Sequence, residues 1–314
     1  EFKSKSIHLH HNVDVLIVGG GLSGLLAAKK LAGTQYDVLL VERENILGGV
    51  LKNTKKIKSI NDQDSSDWIE KTQRLLENSN NIKILKNTMV TTYNFNNHLI
   101  AIEDKSVGKP QDNSKAELIL HKIRAKDTIL ANGHIERFVS FRNNDLPGVM
   151  LAASFEKYIH RYGVVPDENP VVFTNNSSTF GLVKSMIDLG LRPKAYVDVR
   201  DQKKMEKETL DLLTKYNIPL YAKSEIEGCD GKNQIQKVSI RVKKNKIIKI
   251  KTSMLCVSGG FNPDIHLFTQ SKGLIKWDES LLTFKPDKPF QSTITLGSVN
   301  GNFSYQKTID EINK

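Results

Sequence analysis

Val13-Asp14-Val15-Leu16-Ile17-Val18-Gly19-Gly20-Gly21-Leu22-Ser23-Gly24 decides the fold. An apolar run bounded by glycines reads as a buried parallel strand. Leu22, Leu25, Leu26 and Leu31 then line one side of a helix that Gly33 is placed to end. The turn between them satisfies GxGxxG. Gly19 permits the tight exit from the strand, Gly21 lets the backbone approach a pyrophosphate, and Gly24 allows close helix–strand packing. The helix N-terminus, at Leu22 and Ser23, supplies unpaired N–H groups and a partial positive charge. A second strand, Asp37 to Glu42, ends on a carboxylate 18 residues beyond Gly24, where it can accept both hydroxyls of a ribose. That carboxylate repels a 2′-phosphate, so NAD or FAD is favoured over NADP.

Beyond this unit the pattern stays alternating. A helix is expected near Ser66 to Asn78 and a strand at Ile82 to Leu85. Tyr93 to Lys126 reads as an antiparallel insert, with strands Leu99 to Glu103 and Leu118 to Ile123 joined by a polar loop holding Gly108, Pro110 and Asp112. The chain re-enters a buried strand at Thr128 to Leu130 and turns at Ala131-Asn132-Gly133. A second βαβ unit starts after Pro170: strand Val171 to Phe173, helix Ser177 to Leu189 ended by Gly190, strand Lys194 to Val199, and a polar helix over Gln202 to Tyr216. Strands Met254 to Val257 and Thr293 to Leu296 run into Gly259-Gly260 and Gly297. Two βαβ units imply parallel sheets with helices on both faces. The expected architecture is α/β with two Rossmann-like domains. Residues 1–145 and 255–314 form the first, discontinuous and carrying the antiparallel β insert; residues 146–254 form the second.

Composition narrows the class. The 314 residues are 39% hydrophobic and 26% charged, the balance of a globular protein. No apolar stretch reaches membrane-spanning length and no secretory pattern is visible, so no membrane is expected and the cytoplasm is the expected compartment. Two cysteines, Cys229 and Cys256, lack CxxC spacing, which leaves neither a zinc ribbon nor a self-contained iron–sulfur site. The net charge of +11 is spread out. Its densest run, Val238 to Lys251, alternates apolar and polar residues as a half-buried hairpin turning near Lys244-Asn245, so no nucleic-acid partner is expected. His8, His10 and His11 fall in a leader expected to be unstructured, and no metal site is expected. The chain opens on Glu1-Phe2 rather than Met, which suggests an excised piece of a longer protein.

Glu42-Arg43-Glu44 and Gly48-Gly49 resemble the two-dinucleotide-binding flavoprotein fold of glutathione-reductase type, where a second glycine pair approaches the pyrophosphate. Ala131-Asn132-Gly133 stands where that fold has Ala-Thr-Gly. Two departures matter. The fold's final strand normally meets Gly-Asp, whose Asp holds the ribityl chain of FAD; here Gly297-Ser298 follows. The second βαβ turn reads Thr174-Asn175-Asn176-Ser177-Ser178-Thr179, so side chains fill the space a nicotinamide coenzyme would take.

Longer motifs carry a more specific resemblance. Ala131-Asn132-Gly133-His134-Ile135-Glu136-Arg137, Asn143-Asn144-Asp145-Leu146-Pro147-Gly148-Val149-Met150-Leu151-Ala152, Arg161-Tyr162-Gly163-Val164, Val257-Ser258-Gly259-Gly260-Phe261-Asn262-Pro263 and Gly297-Ser298-Val299-Asn300-Gly301 resemble the alpha subunit of heterotetrameric sarcosine oxidase. Hydrogen cyanide synthase and opine or proline dehydrogenases share this core. The resemblance runs from about Val13 to Gly301 and implies the central nucleotide-binding region alone, without the ferredoxin-like and aminomethyltransferase-like domains that flank it in the family. It implies noncovalent NAD⁺ in the FAD-like site, FMN at an interface with a beta-type flavoprotein subunit, and amine oxidation at that partner's FAD. The expected cofactor set is Gly19, Gly21, Leu22, Ser23, Gly24, Glu42, Arg43, Gly48, Gly49, Val50, Val90, Ala131, Asn132, Gly133, Arg137, Gly297 and Ser298. The alternatives are a free-standing FAD-dependent oxidoreductase and a noncatalytic nucleotide-binding module.

No catalytic residue is expected in this chain, which alone would be inactive. His134, Glu136 and Arg137 cluster after the turn, but adjacent residues such as Glu136 and Arg137 do not share a face, and Arg137 is expected to touch nucleotide or fix the loop. His160-Arg161-Tyr162 is expected to close a helix before Gly163, where positive charge suits the helix C-terminus.

Overall fold

The computed structural model describes residues 7–54, 59–60, 63–107, 118–243 and 246–313. It divides into two compact units, residues 1–51, 59–135 and 262–314 in one and residues 52–58 and 136–261 in the other. The expected loop at Gly108, Pro110 and Asp112 and the turn at Lys244-Asn245 lie outside the described residues.

The first unit is built on a seven-stranded sheet. β1 (Ile7–Val18) leads into α1 (Leu22–Leu31) and β2 (Val38–Val41); α2 (Ser65–Glu77) leads into β3 (Ile82–Leu85). β4 (Thr88–Asn94), β5 (His98–Asp104) and β6 (Leu118–Leu130) follow. The order is β3-β2-β1-β6-β5-β4, and the late strand Thr293–Thr295 also pairs with β6. Val18 lies level with Val41 and Leu130, Val41 with Leu85, and Leu130 with Thr295, all in parallel register. Five strands therefore end along one edge, and the residues that follow them are gathered there. Leu16, Val18, Leu39, Val41 and Leu130 pack into one core with Tyr93, Leu99 and Phe268.

The antiparallel extension differs from the expected insert. β6 is one continuous strand, not two: its first half pairs antiparallel with β5 and parallel with β1, its last residues only within the parallel edge. β1 likewise starts at Ile7, so His8, His10 and His11 lie in a strand rather than an unstructured leader. The ladder to β6 gives that segment backbone partners, and a polar chain adds to it. His11 Nε2 lies 2.8 Å from His121 Nδ1, and His121 Nε2 lies 3.0 Å from Glu103 Oε2.

The second unit has a five-stranded parallel sheet in the order Val149–Leu151, Leu255–Ser258, Val171–Thr174, Ala195–Asp198, Leu220–Ala222. Helices Ala152–Tyr162, Phe180–Asp188 and Lys207–Lys215 connect these strands. The helix closing on His160-Arg161-Tyr162 ends as expected, with Gly163 in the left-handed region at φ 64°. Gln202 to Tyr216 is interrupted: a short turn, Gln202–Lys204, precedes the helix at Lys207. An antiparallel sheet of Glu225–Asp230, Lys237–Arg241 and Ile247–Lys251 turns Ile226, Val238 and Ile240 onto Phe173 and Val257. Lysines occupy its other face, as the alternation predicts.

Candidate functional site

The carboxyl edge of the first unit's sheet assembles most of the expected residues. Gly19 leaves β1 at φ 105°, and a Cβ there would overlap the carbonyl of Ala131. Gly24 lies so close to the same turn that a Cβ would overlap the Gly19 carbonyl oxygen. Both positions are glycine because the polypeptide itself leaves no room. Gly21 is different: its φ is −76°, and a Cβ would meet nothing within 4 Å. The chain does not require glycine there.

α1 opens at Gly21 with no side-chain cap and no acidic residue in its first turn. Its N–H groups and the positive end of its dipole are left for an acceptor. The Gly48-Gly49 loop is fastened beside it, the Gly48 N–H donating to the Gly20 carbonyl at 2.8 Å. Val50, in the turn Gly49–Lys52, is 39% exposed, and Arg43 is exposed.

Glu42 is buried where β2 ends, and its carboxylate is already oriented. Oε2 accepts the Gly20 N–H at 2.6 Å, and Oε1 accepts the Glu44 N–H at 2.8 Å. Two carboxylate oxygens offer about four acceptor sites. Two backbone donors therefore leave capacity for a pair of hydroxyls.

Ala131-Asn132-Gly133 follows β6. Asn132 Nδ2 donates to the Asp264 carbonyl at 2.9 Å, and the Asp264 N–H donates to the Gly133 carbonyl. Asn132 Oδ1 is buried without a hydrogen-bond partner. His134 stacks edge-on against Phe303 at 5.6 Å, and burial pushes its imidazole down to about 4. It is neutral at pH 7 and brings no charge to this edge. Gly297 turns at φ 68° against Ser23, and Ser298 lies in the short helical turn Gly297–Asn300. Val90 sits mid-ladder in β4, opposite Ala101. Arg137 is the exception: it lies in the second unit, its guanidinium donating to the Phe261 carbonyl at 3.1 Å.

In the second unit the corresponding turn is closed by its own side chains. The Asn176 N–H donates to Thr174 Oγ1 at 3.1 Å and the Ser178 N–H to Asn176 Oδ1 at 2.8 Å. Asn176 Nδ2 donates to the Ser258 carbonyl, and Arg200 binds Asp198 through two nitrogens while reaching Ser177 Oγ at 3.0 Å. Both cysteines are buried. Burial pushes the Cys229 thiol up to about 11 and the Cys256 thiol up as well. Among the described residues no group of three or more His, Cys, Asp or Glu could hold a metal ion, and no helix is long and apolar enough to cross a membrane.

A family model for an NAD(P)-binding Rossmann-like domain matches residues 17–65, the stretch that holds the glycine turn, Glu42 and the second glycine pair. Over 302 residues the chain is 29% identical to sarcosine oxidase subunit alpha from Corynebacterium sp. strain U-96, covering 94% of this chain and 31% of that protein. The chain resembles the alpha subunit of sarcosine oxidase. It spans about a third of the length of the relatives it matches. Among solved structures, thioredoxin reductase from T. acidophilum superposes with a TM-score of 0.72 at 16% identity, covering 96% of this chain and 95% of that one. L-proline dehydrogenase from P. horikoshii gives 0.68 at 22% identity, with 93% and 51% covered. The fold is thus the α/β, Rossmann-like architecture of the reductases, with the NAD(P)-binding model matching residues 17–65 of the first unit.

Proposed function

We propose that the first unit holds NAD⁺ as the nucleotide-binding part of the alpha subunit of a sarcosine oxidase-type complex, with amine oxidation at the flavin of a beta-type partner subunit. The observation that carries the binding half is Gly21. Gly19 and Gly24 are demanded by polypeptide packing, whereas the space over Gly21 suits a pyrophosphate lying against the uncapped start of α1. Glu42, held by two backbone amides, accepts the ribose hydroxyls and repels a 2′-phosphate. Ser298 brings no carboxylate for a ribityl chain, which favours NAD⁺ over FAD. When bound, the dinucleotide supplies adenine and ribose anchoring here and no hydride step that this chain's residues serve.

The reading of the chain as one region of a larger oxidase rests on its similarity to about a third of those alpha subunits. Release of the ligand by denaturing purified protein, followed by mass spectrometry, tests the cofactor. NAD⁺ in near-equal amount to the chain is expected. Released FAD with visible flavin absorbance would favour a free-standing flavin oxidoreductase, and turnover of an amine by this chain alone would overturn the dependence on a partner.

A further inference from the structure

β6 ends at Leu130, level with the end of β1, and Ala131 and Asn132 follow it along the edge where Gly19 follows β1. The two turns touch: a Cβ on Gly19 would lie 3.1 Å from Asn132 Cα. In the strand order β6 flanks β1 on one side and β2 flanks it on the other. Glu42 and Asn132 therefore stand on opposite sides of the glycine turn.

One end of the Asn132 carboxamide is tied down. Nδ2 donates to the Asp264 carbonyl at 2.9 Å, and the Asp264 N–H donates to the Gly133 carbonyl at 3.1 Å. Turning the amide over would set Oδ1 against the Asp264 carbonyl oxygen, acceptor against acceptor, so its orientation is fixed. Oδ1 is left buried, with no hydrogen-bond partner among the described residues. Acceptors buried in this way are costly to leave unpaired, and most are paired.

What Oδ1 takes is a donor. A pyrophosphate has none to offer, since its oxygens only accept. A dinucleotide whose adenosine ribose sits on Glu42, and whose pyrophosphate meets the start of α1, crosses the glycine turn toward β6. The first group it carries beyond the pyrophosphate is its second ribose, and the hydroxyls of that sugar are donors.

We propose, on the reading of the first unit as an NAD⁺ site, that Asn132 recognises the second ribose of the dinucleotide, with Oδ1 accepting from one of its hydroxyls. Glu42 and Asn132 then grip the two sugars from either side of the pyrophosphate, one through a charged acceptor and the other through a neutral one. An amide beside the pyrophosphate adds no repulsion to its negative charge, as a carboxylate there would.

Calorimetry of NAD⁺, and of an analogue whose nicotinamide ribose lacks both hydroxyls, tests this on wild type and Asn132→Ala. Wild type is expected to bind the analogue about 10-fold more weakly than NAD⁺, the size of one hydrogen bond to a buried acceptor. Asn132→Ala should bind the two alike, with NAD⁺ weakened about 10-fold, while ADP, which has no second ribose, keeps its wild-type affinity. A side chain that only held the Asp264 loop would weaken ADP together with NAD⁺. That result overturns the proposal, as does a preference for NAD⁺ over the analogue that survives in Asn132→Ala. Should Asn132→Ala fail to fold, the wild-type pair decides: weaker binding of the analogue supports the contact, and equal affinity sinks it while leaving the NAD⁺ site standing. Wild type that binds neither dinucleotide brings down the NAD⁺ reading and the contact with it.

Discussion

The Gly19–Gly24 and Thr174–Thr179 turns occupy the same place in two parallel βαβ units, between a buried strand and the helix that follows. In the first, the helix start is uncapped, and Glu42 reaches in from the end of β2 to accept the Gly20 N–H. In the second, Thr174, Asn176 and Ser178 satisfy one another's amides and hydroxyls, and Arg200 ties Ser177 to Asp198. Backbone donors left free by glycine await an external anion; donors beside Asn, Ser and Thr are consumed within the loop. Equivalent topology thus gives one turn open to a ligand and one that is complete without it.

The sharpest way to break this comparison is inside the glycine turn. Gly24→Ala forces a methyl onto the Gly19 carbonyl, so the first unit should lose about 3 kcal/mol or more, seen as a clear drop in Tm; an unchanged Tm would mean that the helix is not seated as described. Gly21→Ala should do the opposite. Its methyl has open space, so apoprotein Tm is expected to stay within about 2 °C. Calorimetry should nonetheless show NAD⁺ affinity reduced about 100-fold, near 2.7 kcal/mol. Retained affinity would remove the reason for glycine at this position.

Glu42 sharpens the contrast further. Glu42→Ala should loosen nucleotide binding. The structure adds a cost, because Gly20 and Glu44 N–H groups lose their acceptor, which destabilises by about 1–3 kcal/mol. Glu42→Gln, which retains one carbonyl oxygen, should weaken binding with a smaller loss of Tm than Glu42→Ala. The smallest effect is expected in the second turn. Asn176→Ala removes the acceptor for the Ser178 N–H and should cost about 1 kcal/mol by chemical denaturation, with NAD⁺ affinity unchanged.

Strand, turn and acid at the first site were legible because each obeys a local rule: apolar burial before Gly19, glycine where backbone crowds, a carboxylate at the end of β2. The second turn's start was less so. Ser177 reads as a helix opening, yet the helix begins at Phe180, since Asn176 Oδ1 takes the Ser178 N–H into the loop instead. His11 read as tail because its partner, His121, is 110 residues away, and no local pattern announces such a pair. The hairpin Leu274–Asp278 with Thr283–Lys288 carries no local signature, because a register shift and Pro286 break its alternation. Arg137 lies in the second unit with its backbone bonded to Gly259 and Gly260, again partners far along the chain.

Because Gly20 and Glu44 hold Glu42 in position, the acid needs no nucleotide to set its orientation. Folding and loading are therefore expected to be separable events, the chain folding empty and filling later. Stripping the ligand should leave a receptor that reloads without a slow rearrangement, so occupancy would follow the nucleotide concentration around it rather than the history of its synthesis.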